Sequence, residues 1–272
     1  MCVVNGLKLS KVDFIEYFDI KKDLSELKPE LHRPAQNAFD YKDWPVLKPV
    51  ASKRDYEVVM MDWEFRPPWV NSIEEMKLIR KGIDPKTGRQ SQPIPWLNAK
   101  AENLLVSKMW KPAALSRRCL VLTEGFFEWR HLPKIGRKGQ ELKATDKFPY
   151  HISIKGDKSY FVMAGIWTPW TEKLTGEQKD TFAIVTTEAP VGHIMRTIHN
   201  SKNRMPSILP EDMAAEWLWG NLSEKDISVF SAYQYPTEEF EVHTVSKDFL
   251  SADDPLCPCT YAELEPRTDL FS

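Results

Sequence analysis

Residues 118–130 read Arg118-Cys119-Leu120-Val121-Leu122-Thr123-Glu124-Gly125-Phe126-Phe127-Glu128-Trp129-Arg130. A branched apolar run, a glycine and an aromatic run predict two consecutive strands, at 118–123 and 126–130. Downstream, apolar runs at 150–155 and 160–164 flank Gly156-Asp157, which suits a tight two-residue hairpin turn. Residues 181–187 (TFAIVTT) and 56–63 (YEVVMMDW) add further strands. Helices are expected at 71–81, 211–219 (entered through Pro210) and 223–231. A short capped helix is also expected from Ser10, because Val12, Ile15 and Phe18 keep helical spacing. Strands adjacent in sequence favour antiparallel pairing, hence an α+β class. The charged stretch 132–147 (LPKIGRKGQELKATDK) reads as an exposed, mobile loop, and residues 83–95 as a polar excursion.

The 272 residues are 42% apolar and 28% charged, enough for a sizeable core. One domain is expected over 1–272, since there is neither a repeat nor an obvious linker. No stretch approaches the roughly 18 apolar residues that a spanning helix needs, and MCVVNGLKLSK lacks the features of a secretory signal. Cysteines at 2, 119, 257 and 259 do not resemble a disulfide framework, so a reducing, cytoplasmic setting is expected, nucleoid-associated in a bacterium. The Cys257-Pro258-Cys259 pair has no second pair to complete a zinc site, and no Gly-rich phosphate loop is present. Neither a metal nor a nucleotide cofactor is expected. The net charge is −2, with nine acids after residue 235 against Lys247 and Arg267, which gives an acidic C-terminal tail from about 236. Between 98 and 118, five basic residues face Glu102 alone, a cluster that permits an anionic partner without demanding one, since most charge runs are simply solvated surface.

Chemistry could begin at Cys2. Removal of Met1 would place an α-amine and a thiol on one residue. The amine can condense with an aldehyde to an imine, and the thiol can close on the same carbon to give a thiazolidine. Closure is intramolecular and benefits from an effective molarity of up to roughly 10⁵ M or more. An α-amine with a pKa of about 7.7–8.0 is partly neutral near physiological pH. By itself, Cys2 reads as an inert second residue, and the case for chemistry needs the rest of the chain.

Behind Cys2 the chain presents Trp63-Glu64-Phe65-Arg66-Pro67-Pro68-Trp69, Asn98-Ala99-Lys100-Ala101-Glu102 and Arg118-Cys119-Leu120-Val121. It continues with Glu124-Gly125-Phe126-Phe127-Glu128-Trp129, Ala164-Gly165-Ile166-Trp167 and Thr186-Thr187. Last come Ile198-His199-Asn200 and Arg204-Met205-Pro206-Ser207-Ile208-Leu209-Pro210. As an ordered set, these resemble the SRAP family, the SOS-response-associated peptidase or abasic-site-processing proteins. The resemblance runs from Cys2 to about Trp219. It implies a largely antiparallel, barrel-like β core with flanking helices. It also implies capture of an abasic site in single-stranded DNA as a thiazolidine crosslink, in the DNA damage response, by a monomer. Associated lyase chemistry and autoproteolytic removal of Met1 come with it.

On that resemblance Cys2 matches the nucleophile, Asn98 the active-site asparagine, Glu128 the catalytic glutamate and His199 the catalytic histidine. Glu128 would move protons at the amine and imine, and His199 at the sugar oxygen, roles that a carboxyl group and an imidazole suit near neutral pH. Lys100, Arg66, Arg118 and Arg204 are candidate phosphate contacts, and Trp63, Pro68 and Trp69 candidates for base or sugar packing. His32, His131, His151, His193 and His243 receive no role. The chain departs from the family pattern at Val3-Val4, where Gly-Arg is usual, at Lys100 for arginine and at Glu64 for glycine. Two other functions remain open. An N-terminal-nucleophile amidohydrolase would attack amides with the same cysteine, and a single-stranded DNA reader would leave Cys2 idle.

Overall fold

The computed structural model of the chain describes residues 3–8, 14–27 and 30–264. The first half runs β1 (Val4–Lys8), β2 (Phe14–Tyr17), β3 (Ile20–Asp23), β4 (His32–Asn37), β5 (Asp43–Pro49), β6 (Tyr56–Trp63), α1 (Ile73–Arg80), β7 (Asn98–Lys100), α2 (Ala101–Leu104) and α3 (Lys111–Ser116). The second half runs β8 (Arg118–Thr123), β9 (Gly125–Ile135), β10 (Glu141–Ile154), β11 (Phe161–Thr171), β12 (Gln178–Glu188), α4 (Ile194–Ile198), β13 (Arg204–Pro206), α5 (Glu211–Trp219), α6 (Glu224–Ser231) and β14 (Phe240–Thr244).

Two sheets carry the architecture. In the order β11-β8-β5-β6-β12, five strands form a barrel, closed by pairing of β11 with β12. Its junctions are antiparallel except β6 with β12. The second sheet, β14-β10-β9-β1-β4, is antiparallel throughout. The α+β class and the barrel expected from sequence are what the chain adopts. All six residues of β8 are buried, because one face fills the barrel and α5 covers the other. A continuous apolar run is the signature of such doubly covered strands. Cys119 lies in this core, where burial pushes its thiol well above the ordinary range and leaves it unreactive.

The strands at 118–123 and 126–130 form as expected but do not pair with each other. Only Glu124 separates β8 from β9, too little chain for a hairpin, so the chain crosses from barrel to second sheet. Thr123 fixes the crossing, donating its hydroxyl to the carbonyls of Gly6 (3.0 Å) and Gly125 (2.7 Å). Gly125 is required by close approach: a Cβ there would stand 2.2 Å from Nε2 of His151. The hairpin expected around Gly156-Asp157 is likewise a crossing. Both edges of β10 are taken by β9 and β14, and both edges of β11 by β8 and β12.

Two further expectations are corrected. Of the helix proposed from Ser10, residues 9–13 lie outside the described residues. Phe14–Tyr17 is a strand, because Phe18 and Asp19 both adopt positive φ (59°) and turn it onto β3. Ile15 and Tyr17 are buried at a spacing of two, which overrides the helical spacing. The stretch 132–147 is a two-stranded ribbon rather than a loose loop, since β9 and β10 continue through it. Much of the acidic C-terminal segment packs on the rest of the fold. β14 pairs with β10, and Phe249 stacks on Phe127 with ring centroids 4.4 Å apart, covering the outer face of the second sheet. Residues 265–272 lie outside the described residues. Among the described residues, no helix is long and apolar enough to cross a membrane.

If the C-terminal segment is integral, Phe249→Ala should lower the urea unfolding free energy by about 3 kcal/mol or more, the usual cost of emptying a buried aromatic site. A change under about 0.5 kcal/mol, within the range of ordinary surface substitutions, would mean that the segment is a detachable tail.

Candidate functional site

β12 extends past the barrel and carries a short strand on each edge. β7 runs parallel to it, with Asn98 against Ile184 and Lys100 against Thr186. β13 runs antiparallel to it, with Pro206 against Thr186 and Arg204 against Glu188. The Asn98 and His199 segments, about a hundred residues apart in sequence, thus share one strand as support. Trp63, fully buried, braces the first of them by donating its indole N–H to the carbonyl of Leu97 at 3.2 Å.

His199 follows the last turn of α4, its backbone N–H bonded to the carbonyl of Met195 at 2.8 Å. Its Nδ1 lies 3.0 Å from the carbonyl oxygen of Arg204. A carbonyl can only accept, so Nδ1 carries the proton and the neutral ring presents its lone pair at Nε2. That Nε2 stands 4.0 Å from Oε2 of Glu128, and both side chains are buried. Glu128 arrives from β9, in register with Tyr150 on β10. Burial pushes the His199 imidazole below its usual value, while the Glu128 charge acts in the opposite direction.

The pair lies in a cavity of about 530 Å³ lined also by Val3, Phe39, Trp129, His131, Lys147, Ser201 and Lys202. Val3 is the residue after Cys2; Cys2 itself lies outside the described residues. The Val3 carbonyl accepts the backbone N–H of Ala38 at 2.8 Å, beside Phe39. Phe39, His131, Lys147 and Lys202 are wall residues that the sequence did not reveal. His131 and Lys202 stand three residues from Glu128 and His199, a proximity that could have flagged them. Of the other histidines, His193 caps α4, and His151 and His243 pack together under the C-terminal segment. Burial, with His243 second, pushes His151 down to about 4.

Several expected DNA contacts prove internal. Arg118 donates to the carbonyls of Ala114, Leu115, Trp217 and Gly220, closing the C-terminal ends of α3 and α5. Arg66 is buried, paired with Asp62 and set over the Trp170 ring at 4.8 Å. Arg204 is buried too, donating to both carboxylate oxygens of Glu102 (2.6 and 3.1 Å) and to the Thr186 hydroxyl (3.2 Å). These three guanidiniums serve the fold, as does Trp63. Lys100 and Pro68 are exposed, and Trp69 is 52% exposed, lining a separate cleft edge-on to Trp96 rather than the Glu128–His199 cavity. Two departures from the family pattern also find a structural reason. Val4 packs on Phe127 and Phe249, and Glu64 is buried against Arg80 of α1. Among the described residues, no group of three or more His, Cys, Asp or Glu is placed to hold a metal.

A family model described as "SOS response associated peptidase (SRAP)" matches residues 1–252. The chain is 26% identical over 235 residues to abasic site processing protein YoqW of Bacillus subtilis (strain 168), covering 86% of this chain and 87% of that protein. It is 31% identical over 154 residues to abasic site processing protein YedK of Escherichia coli (strain K12), covering 56% and 61%. A crystal structure of a protein from Bacteroides thetaiotaomicron superposes with a TM-score of 0.71 at 28% identity, covering 94% of this chain and 97% of that one.

Because Glu128 raises the proton affinity of His199, its removal should lower it further. In an NMR titration the wild-type His199 midpoint is expected below the usual value of about 6.5, and the Glu128→Gln midpoint lower still. An unchanged or higher midpoint in the variant would show that the two groups do not interact.

Proposed function

This chain belongs to the SOS response associated peptidase family, whose curated members include abasic site processing proteins, and we propose that it captures abasic sites in single-stranded DNA through Cys2 after loss of Met1. The observation that carries this reading is the buried Glu128–His199 pair, at a cavity that Val3, covalently joined to Cys2, also lines.

The open abasic sugar offers an aldehyde carbon. The Cys2 amine adds to it, the carbinolamine oxygen leaves as water, and an imine remains. The thiol then adds to the same carbon while its proton passes to the imine nitrogen, which completes the thiazolidine with net loss of one water. Glu128 suits delivery of the proton that expels water. His199, with Nε2 unprotonated, suits removal of a proton from a hydroxyl and its return to the sugar oxygen. Asn98 would orient the amine and sugar from the neighbouring strand, with Lys100 near the phosphates. The imine also acidifies the adjacent sugar C–H, so strand cleavage by β-elimination is a linked activity of the same intermediate. Self-catalysed release of Met1 belongs to the same proposal.

The test is incubation with an abasic single-stranded oligonucleotide followed by denaturing electrophoresis. A slowly migrating adduct is expected, absent from Cys2→Ala and from protein that retains Met1. Glu128→Gln and His199→Ala should each slow its formation by roughly 10²-fold or more, the usual contribution of a positioned acid or base. Wild-type rates in both variants would remove the pair from the chemistry. Ammonia release from glutamine with no DNA adduct would point to an amidohydrolase, and salt-reversible binding alone to a non-covalent reader.

A further inference from the structure

We infer that the basic ribbon made by β9 and β10 is an arm that tracks the phosphodiester backbone of the DNA strand leaving the Glu128–His199 cavity. The inference rests on the abasic-DNA reading above and adds to it a surface for the flanking strand. Among the described residues, β1 pairs with β9 over 125–127 and β14 with β10 over 150–154. Beyond His131 and Lys147 the two strands therefore continue with no third strand paired to them among the described residues, closing at Gly136–Gln140 with Gly139 at φ 79°. A solitary two-stranded ribbon is at best marginally stable in water, and this one shifts register between Glu141 and Thr145. Between Leu132 and Asp146 it places no side chain in the buried core.

Its charge is one-sided. Residues 130–147 carry Arg130, Lys134, Arg137, Lys138, Lys143 and Lys147 against Glu141 and Asp146, on a chain whose net charge is −2. Among the described residues the ribbon's ion pair is Lys134 with Asp146, at 3.3 Å. Arg137, Lys138, Lys143 and Lys147 are exposed. The ribbon's base is part of the site. His131 and Lys147 face each other in register, and both line the cavity. Asn200, the residue after His199, accepts the backbone N–H of His131 at 2.9 Å and donates to its carbonyl at 2.7 Å. Lys202, from the same loop, stands at the cavity wall. Positive charge thus runs from the cavity to the ribbon tip. Alternate residues on a strand are about 6.6 Å apart, comparable with successive phosphates of an extended strand. Lysine and arginine read phosphate without regard to sequence, as lesion capture requires.

The experiment uses the full chain and a triple variant, Arg137→Ser with Lys138→Ser and Lys143→Ser, none of which lines the cavity. Two strands carry a tetrahydrofuran abasic analogue, which has no aldehyde, so binding is read apart from crosslinking. One strand has about 4 nucleotides and the other about 16, the span of common single-strand site sizes. For the long strand the triple variant should bind more weakly. Its slope of log K against log salt should be shallower by about 2, roughly 0.7 for each phosphate that is no longer neutralised. Short-strand affinity and the adduct rate at saturating natural abasic DNA should be unchanged. Wild-type slope and affinity on the long strand, equal losses on both strands, or no binding by the wild-type chain would each overturn the inference. Ribbon-dependent binding without any adduct from natural abasic DNA would instead leave the arm standing and sink the capture chemistry.

Discussion

Arg204 holds the site together. Its backbone carbonyl fixes the His199 ring, and its guanidinium reaches over β12 to Thr186 and to Glu102. Glu102 lies in the first turn of α2, two residues beyond Lys100, so one side chain ties the Asn98 segment to the His199 segment. Burial of Glu102 works to raise its proton affinity, but the Arg204 hydrogen bonds and charge bring it below the usual carboxylate value, so its carboxylate stays ionised at neutral pH. Two parallel N–H···O contacts fix direction as well as distance, which a lysine at 204 could not reproduce.

That constraint gives the chemistry its form. A histidine whose Nδ1 is held by a carbonyl has no choice of tautomer, so its basic nitrogen is always Nε2, on the Glu128 side. Burial lowers the proton affinity of the ring, which favours its neutral form. Glu128 supplies the opposing bias from a different sheet. The separation of 4.0 Å between the two groups is longer than a hydrogen bond. The closed barrel and the second sheet meet at this point, joined by the single-residue crossing at Glu124.

Local pattern carried much of this. The apolar run of β8, the strands β6 and β12, and helices α1, α5 and α6 were all legible, because apolar runs and helix-entry residues such as Pro210 leave dense local signals. Glu128 and His199 were legible through their motifs, and they do share a cavity. What failed was non-local. Nothing in residues 118–130 says that two adjacent strands belong to different sheets. Arg66, Arg118 and Arg204 look like phosphate ligands in sequence because charge predicts exposure. Each instead meets inward-facing carbonyls or carboxylates that only the fold brings near. The stretch 132–147 lacks an apolar face and so reads as loop, although the strands preceding it impose extended pairing on it. Phe39 reaches the cavity from a single 3-10 turn (Ala38–Asp40) and Lys202 from a loop, neither with any periodic signal.

If the amine and thiol of one residue trap a single carbon, both must be blocked in the product. The most direct measurement is tandem mass spectrometry of the tryptic peptide that begins at Cys2 and ends at Lys8, after reaction with abasic DNA, nuclease digestion and exposure to iodoacetamide. The expected result is a sugar-derived mass on Cys2, short by one water, with the thiol protected from alkylation and no reductant needed to preserve the adduct. A thiol that still alkylates, or a sugar mass found on a lysine and only after borohydride reduction, would contradict it.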